Sequence, residues 1–267
     1  MLNLIAALVL ASAPLGDDSP NVVLFLVDDL GWMDLSCQGS TVYKTPNIDR
    51  IAAEGVRFTD FYASAAICSP TRAAVQTGRY PARVGVTDWI RARFQGGAMP
   101  EDQLNPKGHY LPEGKPLEVA RNALWMDTKE RTIAEAVKPA GYLTGYIGKW
   151  HLGMDAHYPD QQGYQLNRGG CDYGQPPSYF DPYANKRLDG IPTLEPREEG
   201  QYLTDREADE AVAFIRESAA EPFFLQLANY AVHTPLQAKP ELVEEWRASK
   251  GEREYHAVYA AMVESVD

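Results

Sequence analysis

Three apolar runs in this chain end in side chains able to do chemistry. Val22 to Val27 leads directly into Asp28 and Asp29, Tyr142 to Ile147 into Gly148, Lys149, Trp150 and His151, and Pro222 to Ala228 into Asn229 and then His233. A fourth candidate, Cys68, stands before Ser69-Pro70-Thr71-Arg72. That segment reads as a helix start, where unpaired backbone N–H groups and the positive dipole end favour an anion or a thiolate. Arg72 lies one turn in and can reach back over the same spot. Adjacent carboxylates suit a metal ion or a solvated turn, and arginine, lysine and histidine suit gripping an anion or moving a proton. Taken singly, each feature has an ordinary structural explanation. Their joint placement at strand ends matters more, because open parallel sheets bind ligands along the carboxyl edge of their strands.

The elements that position these residues can be read from pattern. Val22-Val23-Leu24-Phe25-Leu26-Val27 is continuously apolar, the mark of a strand covered on both faces in a parallel sheet. Thr45-Pro46-Asn47 opens a helix whose apolar face is Ile48, Ile51 and Ala52, and Gly55 stops it. A second helix runs from Ser69-Pro70 to Gly78 with Cys68 just outside its first turn. Regular structure returns with a helix near Thr132 to Val137, a turn at Ala140-Gly141 and the strand through Ile147. Thr204 and Glu207 supply a capping box for a helix with Ala208, Val212, Ile215 and Ala219 on one face. A last helical pattern is Val258, Ala261, Met262 and Val266. Residues 91–126 and 154–200 lack periodicity and read as loops that shape a substrate rim. Strands alternating with helices argue an α/β domain with a largely parallel sheet flanked by helices.

Composition limits the choices further. At 267 residues, against about 150 per domain, the chain holds one large domain or two small ones. With 45% hydrophobic and 23% charged residues it is globular, and 21 Gly with 19 Pro exclude a coiled coil. A formal net charge of −12 repels phosphate backbones and excludes non-specific nucleic-acid binding. An anionic ligand therefore needs attracting charges gathered locally. The apolar run Met1 to Ala13, followed by the polar stretch Gly16 to Pro20, reads as a signal peptide and short leader over residues 1–19. The expectation is export to the periplasm or the extracellular space. No later stretch is long and apolar enough to span a bilayer. Of three cysteines, Cys37, Cys68 and Cys171, an exported chain leaves at least one without a disulfide partner, and Cys68 is expected to be the odd one.

At this point the residues carry a resemblance. Cys68-Ser69-Pro70-Thr71-Arg72 resembles the Cys-x-Pro-Ser/Thr-Arg signature of the type I sulfatases, members of the alkaline-phosphatase superfamily. Gly141 to Thr144 through Gly148-Lys149-Trp150-His151-Leu152-Gly153 is similar to that family's second signature. Asn21 to Gly31, with Thr45-Pro46-Asn47-Ile48-Asp49, resembles its N-terminal metal strand, and His233-Thr234-Pro235 matches a further active-site histidine. These motifs span most of residues 20–267. The resemblance implies an alkaline-phosphatase-like α/β fold and a sulfuric ester hydrolase acting on small sulfate esters or sulfated polysaccharides.

The resemblance also implies roles. Cys68 is the residue that a formylglycine-generating enzyme converts to formylglycine during maturation. One hydroxyl of the aldehyde hydrate attacks sulfur, and the other later expels sulfate by C–O cleavage. Asp28, Asp29 and the residue 68 hydrate are implied ligands of one calcium ion (Ca2+). Arg72 and Lys149 hold hydrate and sulfate oxygens, His151 assists at the formylglycine hydroxyl, and His233 protonates the leaving alcohol or contacts sulfate. Family members add metal ligands from a later Asp-Asn pair and a second catalytic lysine. No Asp-Asn-Gly follows His233, so residues 20–267 are expected to be the N-terminal part of a catalytic domain whose C-terminal part is absent. Two alternatives stay open: a phosphate or phosphonate monoester hydrolase of the same superfamily, and a non-catalytic remnant. A thiolate phosphatase fits less well, because only three residues separate Cys68 from Arg72 and such a mechanism has no use for the aspartates.

Overall fold

The computed structural model describes residues 19–95, 105–250 and 254–267. The expected leader, residues 1–19, lies outside the described residues apart from Ser19. Four parallel strands form the sheet in the order β1-β6-β4-β5, where β1 is Val22–Val27, β4 Leu143–Gly148, β5 Leu166–Arg168 and β6 Phe223–Asn229. A hairpin of β2 (His109–Tyr110) and β3 (Val119–Ala120) stands apart. The helices are α1 (Pro46–Glu54), α2 (Cys68–Thr77), α3 (Pro81–Val84), α4 (Ile133–Val137), α5 (Leu203–Glu217), α6 (Pro240–Lys250) and α7 (Glu254–Val266).

Both faces of the inner strands are packed, as a parallel sheet requires. Alternation along β4 and β6 sends Ile147, Phe223 and Leu225 to one face, where Ala211 and Phe214 of α5 cover them. Tyr146 and Phe224 face the other way, into the larger core with Ala73 of α2, Trp150, Tyr164 and Met262 of α7. Ala261, Met262 and Val266 of α7 are buried as their spacing predicts.

Several expectations are corrected. β1 spans the predicted residues, but among the described residues it pairs only with β6 and stands at the sheet's edge, so Val22, Val23 and Phe25 are 38–49% exposed rather than covered on both faces. Ile51 of α1 is likewise exposed. Stretch 154–200 contains β5, whose Leu-Asn-Arg has no apolar run to announce it. Stretch 91–126 carries the β2–β3 hairpin.

Thr204 and Glu207 form no capping box. Tyr202 is the N-cap of α5, and Thr204 Oγ1 finds no partner among the described residues. The buried face of α5 runs through Glu207, Ala211 and Phe214 to the C-cap Ser218, while Val212 is exposed. A hydropathy reading passes over this face because a carboxylate opens it. The true capping box is Thr132 with Glu135, at the start of α4.

Gly148 ends β4 where the chain turns into the site. Its φ is +94°, and an added Cβ would lie 2.1 Å from the Ala228 carbonyl oxygen of the neighbouring strand. Gly85 has a similar φ of +85° with nothing within 4 Å of the added atom. Gly148→Ala is expected to cost at least about 3 kcal/mol, from backbone strain plus overlap with rigid backbone. Gly85→Ala, with the strain alone, should cost about 1 kcal/mol. Thermal unfolding of the two variants checks this, and equal losses would contradict the packing described for the β4–β6 boundary.

Candidate active site

The carboxyl ends of β1, β4 and β6 meet at one edge of the sheet, so residues distant in sequence become neighbours. Backbone bonds fix the three ends to one another. The Asp28 N–H donates to the Ala231 carbonyl at 2.9 Å, the Val232 N–H to the Asp28 carbonyl at 2.7 Å, and the Lys149 N–H to the Ala228 carbonyl at 2.7 Å.

Asp28 is the hub. One carboxylate oxygen accepts from Arg72 Nη2 at 2.9 Å and the other from the Lys149 ammonium, with all three side chains buried. Burial opposes the charge on Asp28, but the Arg72 and Lys149 cations outweigh it and draw the carboxyl down to about 2. Burial also opposes the charge on Arg72, and the facing Asp28 keeps the guanidinium protonated. The Lys149 ammonium is lowered by burial and by neighbouring Arg72, with Asp28 opposing the shift. Two buried cations share one carboxylate, so the cluster carries surplus positive charge. This is the local concentration an anion requires in a chain of net charge −12.

A cavity of 280 Å³ opens above this cluster, lined by Asp28, Asp29, Cys68, Thr71 and Arg72 among others. Cys68 is the first residue of α2, inside the helix rather than just before it, and Ile67 is the N-cap. Its half-buried sulfur sits where the helix dipole adds to the positive field. None of the three cysteines is joined in a disulfide, so Cys68 is not distinguished by pairing.

Lys149, His151 and His233 do not line this cavity: Lys149 and His233 reach lining residues Asp28 and Asp29, and His151 is tied to the first turn of α2 through Ser69. The buried His151 ring makes a 2.6 Å bond from Nε2 to the Ile90 carbonyl. A carbonyl can only accept, so Nε2 carries the proton and Nδ1 presents a lone pair with no partner among the described residues. Burial, reinforced by the Lys149 charge, lowers the imidazole to about 3, so it is neutral under ordinary conditions. His233 lies with Nε2 3.6 Å from an Asp29 carboxylate oxygen, and Tyr179 Oη donates to the His233 carbonyl at 2.8 Å. Asp29 and His151 both adopt positive φ, 58° and 59°, which turns these side chains at the ends of β1 and β4.

Asp28, Asp29 and His233 each offer a ligand atom, all within 4.8 Å of one another. Calcium takes 6–8 oxygen ligands. The two carboxylates suit such a hard cation in kind and would fill only part of its shell, and the imidazole nitrogen does not suit it.

Sequence reading missed the residues that seat these groups. Ser69 Oγ accepts from the Ile90 N–H and donates to the His151 carbonyl, both at 2.9 Å, tying the first turn of α2 to the end of β4. Tyr146 Oη donates to the Lys149 carbonyl at 2.5 Å, and Arg72 Nη1 donates to the same oxygen. Gly174 packs under His151, since a Cβ there would lie 2.6 Å from the imidazole Cε1. Glu207 accepts from Asn229 Nδ2 at 2.6 Å and from the Tyr230 N–H at 3.3 Å, and burial pushes its carboxyl up to about 8. Only Ser69 had a signal, its place inside the Cys68–Arg72 motif.

A sulfatase family model matches residues 20–267. N-acetylgalactosamine-6-sulfatase of Canis lupus familiaris is 35% identical over 253 residues, covering 86% of this chain and 44% of that protein. Arylsulfatase A of Homo sapiens is 33% identical over 249 residues, covering 81% and 42%. The chain thus spans less than half the length of these curated relatives. Among solved structures, Ps i-CgsB superposes with a TM-score of 0.70 at 30% identity, over 93% of this chain and 52% of that one. BT4656, solved with its substrate D-glucosamine-2-N,6-O-disulfate, gives 0.62 at 25% identity, over 86% and 38%.

The Asp28 pairings predict a pH dependence of stability. Because the folded carboxyl lies near 2 and the ordinary value is 3.8, the contribution is complete above pH 3.8 and disappears as pH falls through 2. It amounts to roughly 2–3 kcal/mol. Asp28→Asn should remove this acid-side loss and cost about 3–5 kcal/mol at neutral pH by leaving two buried cations without their counter-charge. Urea unfolding between pH 2 and 7 measures both effects, and parallel profiles for wild type and variant would contradict the clamp.

Proposed function

We propose, from the premise that this chain belongs to the sulfatase family, that residues 20–267 form part of a catalytic domain hydrolysing sulfate esters of carbohydrates or aryl alcohols. The observation that carries the reading is Cys68 on the first turn of α2, at a cavity shared with Asp28, Asp29 and Arg72 above two buried cations.

Each residue then has a task that follows from charge and placement. The SO3 group spreads negative charge over its oxygens during transfer, so fixed cations stabilise it. Arg72 and Lys149 provide them, held in place by Asp28 and by the Lys149 carbonyl. Cys68, matured to formylglycine by a formylglycine-generating enzyme, supplies a hydrate hydroxyl as nucleophile. Neutral His151, with a bare Nδ1, accepts a hydrogen bond from that hydroxyl and orients it. His233, half-buried beside Asp29, protonates the departing alcohol. Asp28 and Asp29 would hold one calcium ion, which would supply further positive charge at the site when bound. Among the described residues no helix is long and apolar enough to cross a membrane. Export through the Met1–Ala13 leader, to the periplasm or beyond, completes the proposal.

Hydrolysis of an aryl sulfate compared with the matching aryl phosphate tests the reading. The sulfate should be turned over faster, with kcat/KM reduced at least about a thousandfold in Cys68→Ala. Faster phosphate turnover, or activity indifferent to Cys68→Ala, would overturn it.

A further inference from the structure

A second cleft, of 430 Å³, lies beside the β2–β3 hairpin and is lined by Asp88, Trp89, Arg91, Tyr110, Arg121 and Asn122 among others. Two cation–aromatic pairs furnish it. The Arg91 guanidinium lies 5.6 Å from the Trp89 ring centre and that of Arg121 5.2 Å from the Tyr110 ring centre. Trp89 and Tyr110 remain about 40% exposed, and both arginines are exposed. Packing over a ring restricts a guanidinium's rotamers and leaves its N–H groups available for a bidentate contact with a sulfate or carboxylate. Neither arginine has an acidic partner among the described residues. Among the described lining residues the one acid, Asp88, uses a carboxylate oxygen to accept from the Trp89 N–H at 2.8 Å.

The cleft is framed by hydrogen bonds. Asn122 Oδ1 accepts from the Thr87 and Asp88 N–H groups at 3.0 and 2.9 Å, and its Nδ2 donates to the Trp89 carbonyl at 3.1 Å, so the two walls are fastened together. Ile90, between Trp89 and Arg91, is the residue whose N–H bonds Ser69 and whose carbonyl accepts from His151. One wall of this cleft is therefore continuous with the peptide that seats His151 and the first turn of α2.

We propose that this cleft is a binding site for an anionic sugar residue, sulfated or carboxylated, of a glycan chain that extends from the Cys68 cavity. Its tools match that chemistry: aromatic rings offer apolar edges to a sugar face, and two guanidinium groups offer paired donors to the anion. The substrate-chain assignment rests on the hydrolase reading above, while the binding itself stands on the cleft alone.

The test is calorimetric titration of the full chain with a sulfated galactan hexasaccharide and with its desulfated counterpart. The sulfated form should bind at least tenfold tighter. Arg91→Ala/Arg121→Ala should lose at least tenfold in affinity for it while leaving the kcat/KM for a small aryl sulfate unchanged. Arg121→Lys, which keeps the charge but loses the paired guanidinium donors, should lose a smaller factor. Circular dichroism matching wild type separates these losses from misfolding. Hexasaccharide affinity indifferent to the arginines, or equal affinity for the desulfated form, would overturn the cleft assignment. Arginine-dependent binding by a chain whose Cys68 carries only the unmodified thiol when made in its native host would instead overturn the hydrolase reading and leave the cleft as a sulfated-glycan site.

Discussion

One carboxylate held between two buried cations organises this molecule's chemistry. Neither Arg72 nor Lys149 could remain charged at that depth without a counter-ion, because removing an isolated charge from water costs several kcal/mol even after relaxation. Asp28 supplies the counter-ion to both, and it does so from the end of a strand whose position is set by backbone bonds to the loop after β6. The pairing is deliberately uneven. A second acid in the cluster would neutralise it, and among the described residues no other carboxylate pairs with Arg72 or Lys149, which leaves a positive floor under Cys68.

The rest of the site depends on that floor through short chains of contact. Arg72 is carried by α2, so its bond to Asp28 also fixes the angle at which the helix presents residue 68. Ser69 bonds the same turn to the His151 carbonyl and to Ile90, and Ile90 in turn holds the imidazole. Strand end, helix tip and loop are thus locked as one unit. Positive φ at Asp29 and His151 is tolerated because these bonds over-determine the backbone there.

Much of this was legible in sequence, for a physical reason. Residues following an apolar run in a parallel sheet have little choice about which edge they reach, so Asp28, Lys149 and His233 could be assigned to one rim from order alone. The pairing within that rim could not be read. Nothing in the spacing of residues 28, 72 and 149 says that one carboxylate serves both cations, and an adjacent Asp-Asp pair suggests twin roles where the structure gives Asp28 a buried one and Asp29 an exposed one. The inner face of α5 was misread because hydropathy excludes a buried carboxylate, yet Glu207 is held by Asn229 and the Tyr230 N–H. β1 was placed correctly along the chain and wrongly within the sheet, since a continuous apolar run does not reveal how many neighbours a strand has. Gly174 carried no signal at all, because its importance is the volume it leaves to His151.

We propose that the positive floor beneath Cys68 serves a residue that is chemically matured to act as a nucleophile. The most direct measurement is the mass of the peptide containing Cys68, released from protein made in its native host. The account predicts the mass of an aldehyde, or of its hydrate, at position 68 in place of the thiol. A peptide carrying only the unmodified thiol would contradict it.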